Sequence, residues 1–429
     1  MPLRLVLLSL VLFGALLLGL VLVNGNLVAL AIPLAVYLAA VLFHTPDDFR
    51  LSARRTLSSE AITQGQEVKV SLAITNEGDA LDELLVEDAV PPQLEVITGE
   101  PRVIIALKPG ETYRLEYSLR TRRGSFSLDT AFVYGREAFG LFQRSMTLSA
   151  PAKLLVMPEV QRVRQVKIRP RRTRDYAGPV PSRQGGAGVD FFSLRDYQPG
   201  DPLRWLNWKA TARHEESLFT NQFEIERIAD VGLILDARQQ SDIPHPVASL
   251  FEYSVRVTAS LADVFLNAGN RVGLLIYGRG QERTFPGYGK VQRERILRAL
   301  GSAQPTENYA LQNLAYLPTR FFPARSQIVM ISPLRSEDLP VLVRLRALDY
   351  SLLVVCPDPV SFEASLYADS PLMAQAERIA RLERTLLLHK LQRAGIQTIN
   401  WKVTQPFDQV AYAALGRMPR GVHAIGRVS

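Results

Sequence analysis

Residues 231–237 read VGLILDA, an apolar run that ends on an acid. Four more such runs follow: RVGLLIYG (271–278), SQIVMIS (326–332), YSLLVVC (350–356) and IQTINW (396–401). Helical patterns separate them. SLFEYSVRVTASLADVFLNAG (249–269) stops at Gly269, a residue suited to ending a helix. KVQRERILRALG, EDLPVLVRLRALD and PLMAQAERIARLERTLLLHKLQRAG are the others, the last with Ile379, Leu382, Leu386 and Leu391 on or near one face. Unbroken apolar strands are buried on both faces, and alternation with helices covers both faces of one sheet. Residues 226–429 are therefore expected to form an α/β domain with a doubly wound, mostly parallel sheet.

Upstream, the period changes. EVKVSLAIT alternates at Val68, Val70, Leu72 and Ile74 before a turn at Asn76-Glu77-Gly78. About seven short strands at 8 to 15 residue spacing predict an all-β immunoglobulin-like sandwich over 47–160. Residues 161–225 read as a basic linker plus an extension. Arg162, Arg164, Lys167, Arg169, Arg171, Arg172 and Arg174 crowd its start with no acid among them. That segment reads as a solvated linker, an anionic-lipid or acidic-partner patch, or least of all a nucleic-acid tract.

The N-terminus carries two apolar runs, Leu5–Val23 and Leu27–Phe43, around the turn Asn24-Gly25-Asn26. Their lengths predict a transmembrane helical hairpin over 1–46. Arg4, Arg50, Arg54 and Arg55 flank the pair and the turn has no basic residue, so both ends and the soluble mass are expected in the cytoplasm.

A composition that is 47% hydrophobic excludes a disordered chain, and one cysteine excludes an internal disulfide or a multi-cysteine metal site. Cys356 lies inside an apolar run and reads as a buried thiol. No GxxxxGK[ST], GxSxG or HExxH is present, and the five histidines are scattered. No catalytic residue and no cofactor is expected.

Asp236 ends the first α/β strand, where ligands sit in open α/β sheets. This resembles the von Willebrand factor A fold, in which the first strand ends in DxSxS and these oxygens help hold a Mg²⁺-type ion. Arg238 and Gln240 stand at the two serine positions, and the strand 326–332 ends in Ser332-Pro333 where an acid is usual. The site reads as degenerate, with no metal. Arg238 is either turned to solvent or paired with Asp236 in place of a cation.

The stretch LRDYQPGDPLRWLNWKATAR (194–213) holds two of three tryptophans. Pro199-Gly200 suits a type II turn, and Asp201-Pro202 suits a helix start, which predicts a short helix to about Arg213 packed on the sheet. The pattern L-R-x-Y-x-x-G-D-x-x-R-x-x-x-W-K-x-x-A-R resembles the signature of the bacterial family labelled domain of unknown function 58. Asn207 stands where that signature has Asp. Phe139–Phe142 and VMPEV add to the likeness. The resemblance implies a membrane-anchored adaptor or scaffold working with a MoxR-type AAA+ ATPase. Its signature residues here are Arg195, Tyr197, Gly200, Asp201, Arg204, Trp208, Lys209 and Arg213. Two other readings stand beside it: a hydrolase using Asp196, Asp201 or Asp236, and nucleic-acid or lipid binding through 161–174. Self-association is left open.

Overall fold

A computed structural model describes residues 3–44, 49–136, 143–164, 173–174, 180–213, 217–278, 281–308, 317, 321–367 and 370–416. The chain divides into two units, Met1–Met157 and Pro158–Ser429.

The first unit opens with helices α1 (Leu3–Val21) and α2 (Gly25–His44). They pack on each other, with Leu8, Leu12, Leu34 and Tyr37 around buried Leu38. Gly19 allows the approach, since a Cβ there would meet Val28 Cγ2 at 2.8 Å. Leu10, Phe13, Leu30 and Ile32 remain exposed. Among the described residues, no helix is long and apolar enough to cross a membrane. This overturns the transmembrane hairpin expected from the two runs. The two runs instead form helices that pack on each other around Leu38.

Nine strands follow: β1 (Leu51–Leu57), β2 (Ala61–Thr63), β3 (Glu67–Asn76), β4 (Leu81–Asp88), β5 (Glu95–Thr98), β6 (Arg102–Leu107), β7 (Thr112–Arg120), β8 (Gly124–Arg136) and β9 (Gln143–Met157). They form two sheets, ordered β1-β3-β7-β5 and β2-β9-β8-β4-β6. The alternation read in β3 is realised, with Val68, Val70, Leu72 and Ile74 buried. They share one core with Leu84, Val86, Leu128, Val133 and Leu154 of the other sheet. Inside it Arg55 donates to Asp88, to the Leu128 and Ala150 carbonyls and to Thr130 O, while Tyr117 Oη donates to Asp88 at 2.6 Å. Burial, with Asp88 beside it, pushes the Tyr117 hydroxyl pKa up.

The second unit contains β10 (Thr173–Arg174), β11 (Val180–Asp196), α3 (Trp208–Thr211), β12 (Phe219–Asp236), α4 (Leu250–Asn267), β13 (Arg271–Tyr277), β14 (Gln281–Gly287) and α5 (Gly289–Ser302). It continues with β15 (Gln327–Ile331), α6 (Leu339–Ala347), β16 (Ser351–Pro357), α7 (Pro359–Ala364), α8 (Pro371–Arg393), β17 (Gln397–Trp401) and α9 (Phe407–Gly416). One eight-stranded sheet runs β14-β13-β12-β15-β16-β17, with β10 and β11 also on β12. This corrects the doubly wound, mostly parallel, von Willebrand A-like expectation: the sheet is mixed. Strand β12 is the reason. Its last seven residues pair in parallel with β13 and β15, while its earlier residues pair antiparallel with β10 and β11. Edge strand β14 is antiparallel as well.

Helix α8 also departs from its expected face. It buries Arg384, Leu387 and Leu391, and leaves Ile379, Leu382 and Leu386 exposed. Arg384 sets that rotation. Its guanidinium donates to Pro333 O at 2.7 Å, Pro357 O at 3.2 Å and Asn400 Oδ1 at 2.9 Å, and lies 3.3 Å from Asp358.

Candidate functional site

The C-terminal ends of β13, β12 and β15 lie side by side, at the end of the sheet where open α/β sheets bind ligands in a crevice. Here that crevice is filled from within. Arg238, two residues past the end of β12, is 2% exposed. Its Nε donates to Asp236 Oδ1 at 2.9 Å and its Nη2 to Asp236 Oδ2 at 2.8 Å. From the other side, Nη1 and Nη2 reach Asp338 Oδ1 and Oδ2, each at 2.9 Å. One planar guanidinium thus joins two carboxylates in paired, fork-like contacts, a geometry lysine cannot supply.

The remaining carboxylate lone pairs are also used. Ser241 Oγ and Ser332 Oγ donate to Asp236 Oδ2 at 2.7 and 2.6 Å. The Arg335 amide donates to Asp338 Oδ2 at 3.0 Å. Burial alone would lower the Arg238 pKa, but the hydrogen bonds to Asp236 and Asp338 outweigh it and raise the value. The guanidinium of Arg238 therefore stays cationic.

Backbone closes over it. The Thr306 amide donates to Ala237 O at 3.0 Å, and the Gln239 amide to Thr306 O at 3.1 Å. Gly278 lies so close to Ala237 O that a Cβ would stand 2.3 Å from it. What remains is a cleft of about 300 Å³ lined by Arg238, Gln239, Gln240, Gly278, Thr306 and Glu307. Gln240 accepts from Arg335 Nη1 at 2.8 Å. Among the described residues, no group of three or more His, Cys, Asp or Glu could hold a metal.

Asp338 was not among the residues singled out by sequence. The signal was available: Asp338-Leu339-Pro340 is an acid followed by proline at the head of a helix, just after strand β15. Nothing in the spacing shows that this acid meets Arg238, one hundred residues earlier.

The signature stretch lies at the other end of β12, as the tip of the β11–β12 hairpin. Gly200 has φ +107°, and the Asp201 amide donates to Gln198 O at 3.0 Å, as a type II turn requires. Asp201 does not cap a helix. It accepts from Arg195 Nη2 at 2.6 Å and from the Gln198 amide at 3.0 Å, and these bonds, the Arg195 one first, hold its pKa below the usual carboxylate value.

The expected helix from Pro202 to Arg213 is also corrected. Leu203–Trp205 is one 3-10 turn, Trp208–Thr211 is one α turn, and the chain is extended between them. Leu206 bridges Thr220, and the Asn207 amide donates to Phe219 O at 2.8 Å, so sheet pairing interrupts the helix. Asn207 caps α3 by accepting from the Ala210 amide, and its Nδ2 donates to Asn221 Oδ1 at 2.8 Å. Only Leu206 is buried here. Leu203 and Trp208 are 70% and 68% exposed, in the company of exposed Arg204, Lys209 and Arg213, while Tyr197 is half-buried.

Of the carboxylates offered for hydrolysis, Asp196 and Asp201 lie at the hairpin tip, and Asp236 lies at the opposite end of β12. Asp196 sits across from Phe219 at the start of β12, and Asp236 ends that strand. In the basic segment, Lys167, Arg169, Arg171 and Arg172 lie outside the described residues, as do Phe139–Phe142. Exposed Arg164 lies 3.4 Å from Asp408 and over the Tyr412 ring. Arg162 is exposed, and Arg174 belongs to β10.

The hairpin tip, β12 and the strand-end cluster all fall within one segment that has known relatives. Residues 193–358 match the family described as protein of unknown function DUF58. The chain is 29% identical over 243 residues to the uncharacterized protein YeaD of Bacillus subtilis, covering 54% of this chain and 58% of that one. It is 30% identical over 131 residues to the uncharacterized protein Rv1480 of Mycobacterium tuberculosis, 30% of this chain and 39% of the relative. The chain spans about half the length of the curated relatives it matches. Among solved structures, the CARDB domain of the PF1109 protein from Pyrococcus furiosus covers 27% of this chain at 13% identity, with a TM-score of 0.20 that carries no inference. The DUF58 match holds both Trp208 and the Arg238 cluster, and its description assigns neither a role.

Proposed function

We propose that this DUF58 chain is a non-enzymatic adaptor whose recognition element is the hairpin tip 194–213. The observation that carries the reading is Trp208, two-thirds exposed beside outward-facing Arg204, Lys209 and Arg213 on a turn framed by the Arg195–Asp201 ion pair. Tryptophan and arginine are the residues in which interface energy concentrates, and a pre-formed turn loses little entropy on docking. The strand-end crevice supports the same reading, because Arg238 consumes the acids that a hydrolase or metal site would use.

The tip is basic and aromatic, so the partner surface is acidic with an apolar pocket. The signature resemblance names a MoxR-type AAA+ ATPase as that partner. The test is binding of the purified full chain to the MoxR-type ATPase of its own organism, with and without ATP. Trp208→Ala should weaken binding by at least about tenfold, as loss of an interface anchor does. Arg298→Ala, on α5, should leave it unchanged. No binding under any nucleotide condition, or equal binding by Trp208→Ala, would sink the adaptor reading.

A further inference from the structure

The second unit has a smaller cleft of about 140 Å³, away from both features above. Tyr253 and Arg256 of α4 line it, with Trp401 at the end of β17 and Phe407 at the start of α9. The rings brace one another edge to face: Tyr253 and Trp401 are 6.2 Å apart, and Trp401 and Phe407 are 5.3 Å apart. Trp401 Nε1 donates to Gln405 O at 2.8 Å, which fixes the indole. The wall is therefore pre-formed and apolar.

Arg256 is the odd member. Its guanidinium lies over the Tyr253 ring, 5.5 Å from the centroid. Its Nε is buried and, among the described residues, hydrogen-bonds to nothing. The buried arginines Arg55, Arg238 and Arg384, by contrast, each donate to carboxylates, carbonyls or an amide oxygen. Asp408, next to Phe407, is already engaged by the Arg164 amide and side chain. A buried donor without an acceptor is rare in folded proteins and calls for a partner.

We propose that this cleft binds a carboxylate carried on a ring-sized apolar body, with Arg256 as the ion-pairing group. The volume suits the body, since an apolar cavity of about 150 Å³ takes up benzene. The chemistry suits the head group, since a guanidinium already stacked on an aromatic face keeps its edge donors for a carboxylate. The site is independent of the hairpin tip, so it stands or falls apart from the adaptor reading.

The test is fluorine NMR of para-fluorobenzoate with the full chain, beside para-fluorobenzamide, its uncharged isostere. The benzoate signal should broaden saturably, and the amide should bind at least about tenfold more weakly, because it lacks the charge-assisted bond. Arg256→Gln should bring benzoate down to the amide's affinity without lowering the melting temperature, and Arg256→Lys should restore part of it. Competition with the capped dipeptide acetyl-Phe-Glu-amide separates two sources of the carboxylate. Tighter binding than benzoate assigns the site to an acidic side chain of a protein, and weaker binding to a free acid. Equal affinity for benzoate and amide, undiminished binding by Arg256→Gln, or no saturable broadening would overturn the proposal.

Discussion

Arg238 and Asp338 are one hundred residues apart in sequence, yet they meet through two parallel hydrogen bonds of 2.9 Å in the closed edge of the sheet. The same guanidinium binds Asp236 through two more. Replacing a whole buried ion cluster by apolar groups can be neutral, but removing one member leaves its partners charged and unpaired, at about 3–5 kcal/mol. Asp338→Ala should therefore lower unfolding free energy by about that amount in urea melts at neutral pH. Arg238→Leu should cost at least as much, because two carboxylates then face each other with no cation between them.

Arg238→Ser should leave oxygens from Asp236, Asp338, Ser241 and Ser332 around a vacated point, the donor type that hard divalent cations take. Mn²⁺ is expected to raise the melting temperature of this variant and leave the wild type unmoved. A variant that folds and shows no shift would mean that Arg238 holds the acids together without standing in for an ion.

Asp201 titrates below the ordinary carboxylate range because Arg195 and the Gln198 amide stabilise its charge. The sign follows from linkage: the bond contributes fully above the unfolded value of about 3.9 and fades as pH falls through the lower folded value. Hydrogen exchange at the Gln198 amide should stay slow down to that lower value. In Arg195→Gln the loss should begin at higher pH.

Trp208, Arg204 and Arg213 are exposed, so single alanine variants should change stability by no more than about 0.5 kcal/mol. Loss of partner binding with an unchanged urea midpoint separates recognition from folding. A large fall in stability would instead make the tip a structural element.

Burial pushes the Cys356 thiol up to about 11, despite the neighbouring Arg384, so almost no thiolate exists at neutral pH. Iodoacetamide at pH 8 should fail to label the native chain and should label it fully in denaturant. Labelling of the native chain would show that β16 opens.

Local patterns in the sequence were legible where one element decides them. VGLILDA became the parallel end of β12, EVKVSLAIT became β3, and Pro199-Gly200 made its turn. Patterns failed where a distant backbone competes. Pro202–Arg213 has helical spacing, but Thr220 and Phe219 capture Leu206 and Asn207 into the sheet. The apolar stripe Ile379-Leu382-Leu386 looked like the inner face of α8, but Arg384 turns that helix toward the strand ends. The site divided the same way. Asp236 was placed by its strand, whereas Asp338 joins the same cluster only after three further strands, β13 to β15, have been added to the sheet.

Strand β12 runs without interruption from Phe219, beside the hairpin tip, to Asp236, which Arg238 grips. At about 3.3 Å per residue its contour is on the order of 60 Å. A partner that pulled on the tip would load this strand along its own axis. The ladder bonds from β12 to β13 and β15 would then resist in shear together, instead of opening one at a time as in a peeled hairpin. The Arg238 cluster would serve as the anchor knot at the far end of that line. Mechanically, the chain is built to transmit tension from its tip into the heart of the sheet without letting the register slip.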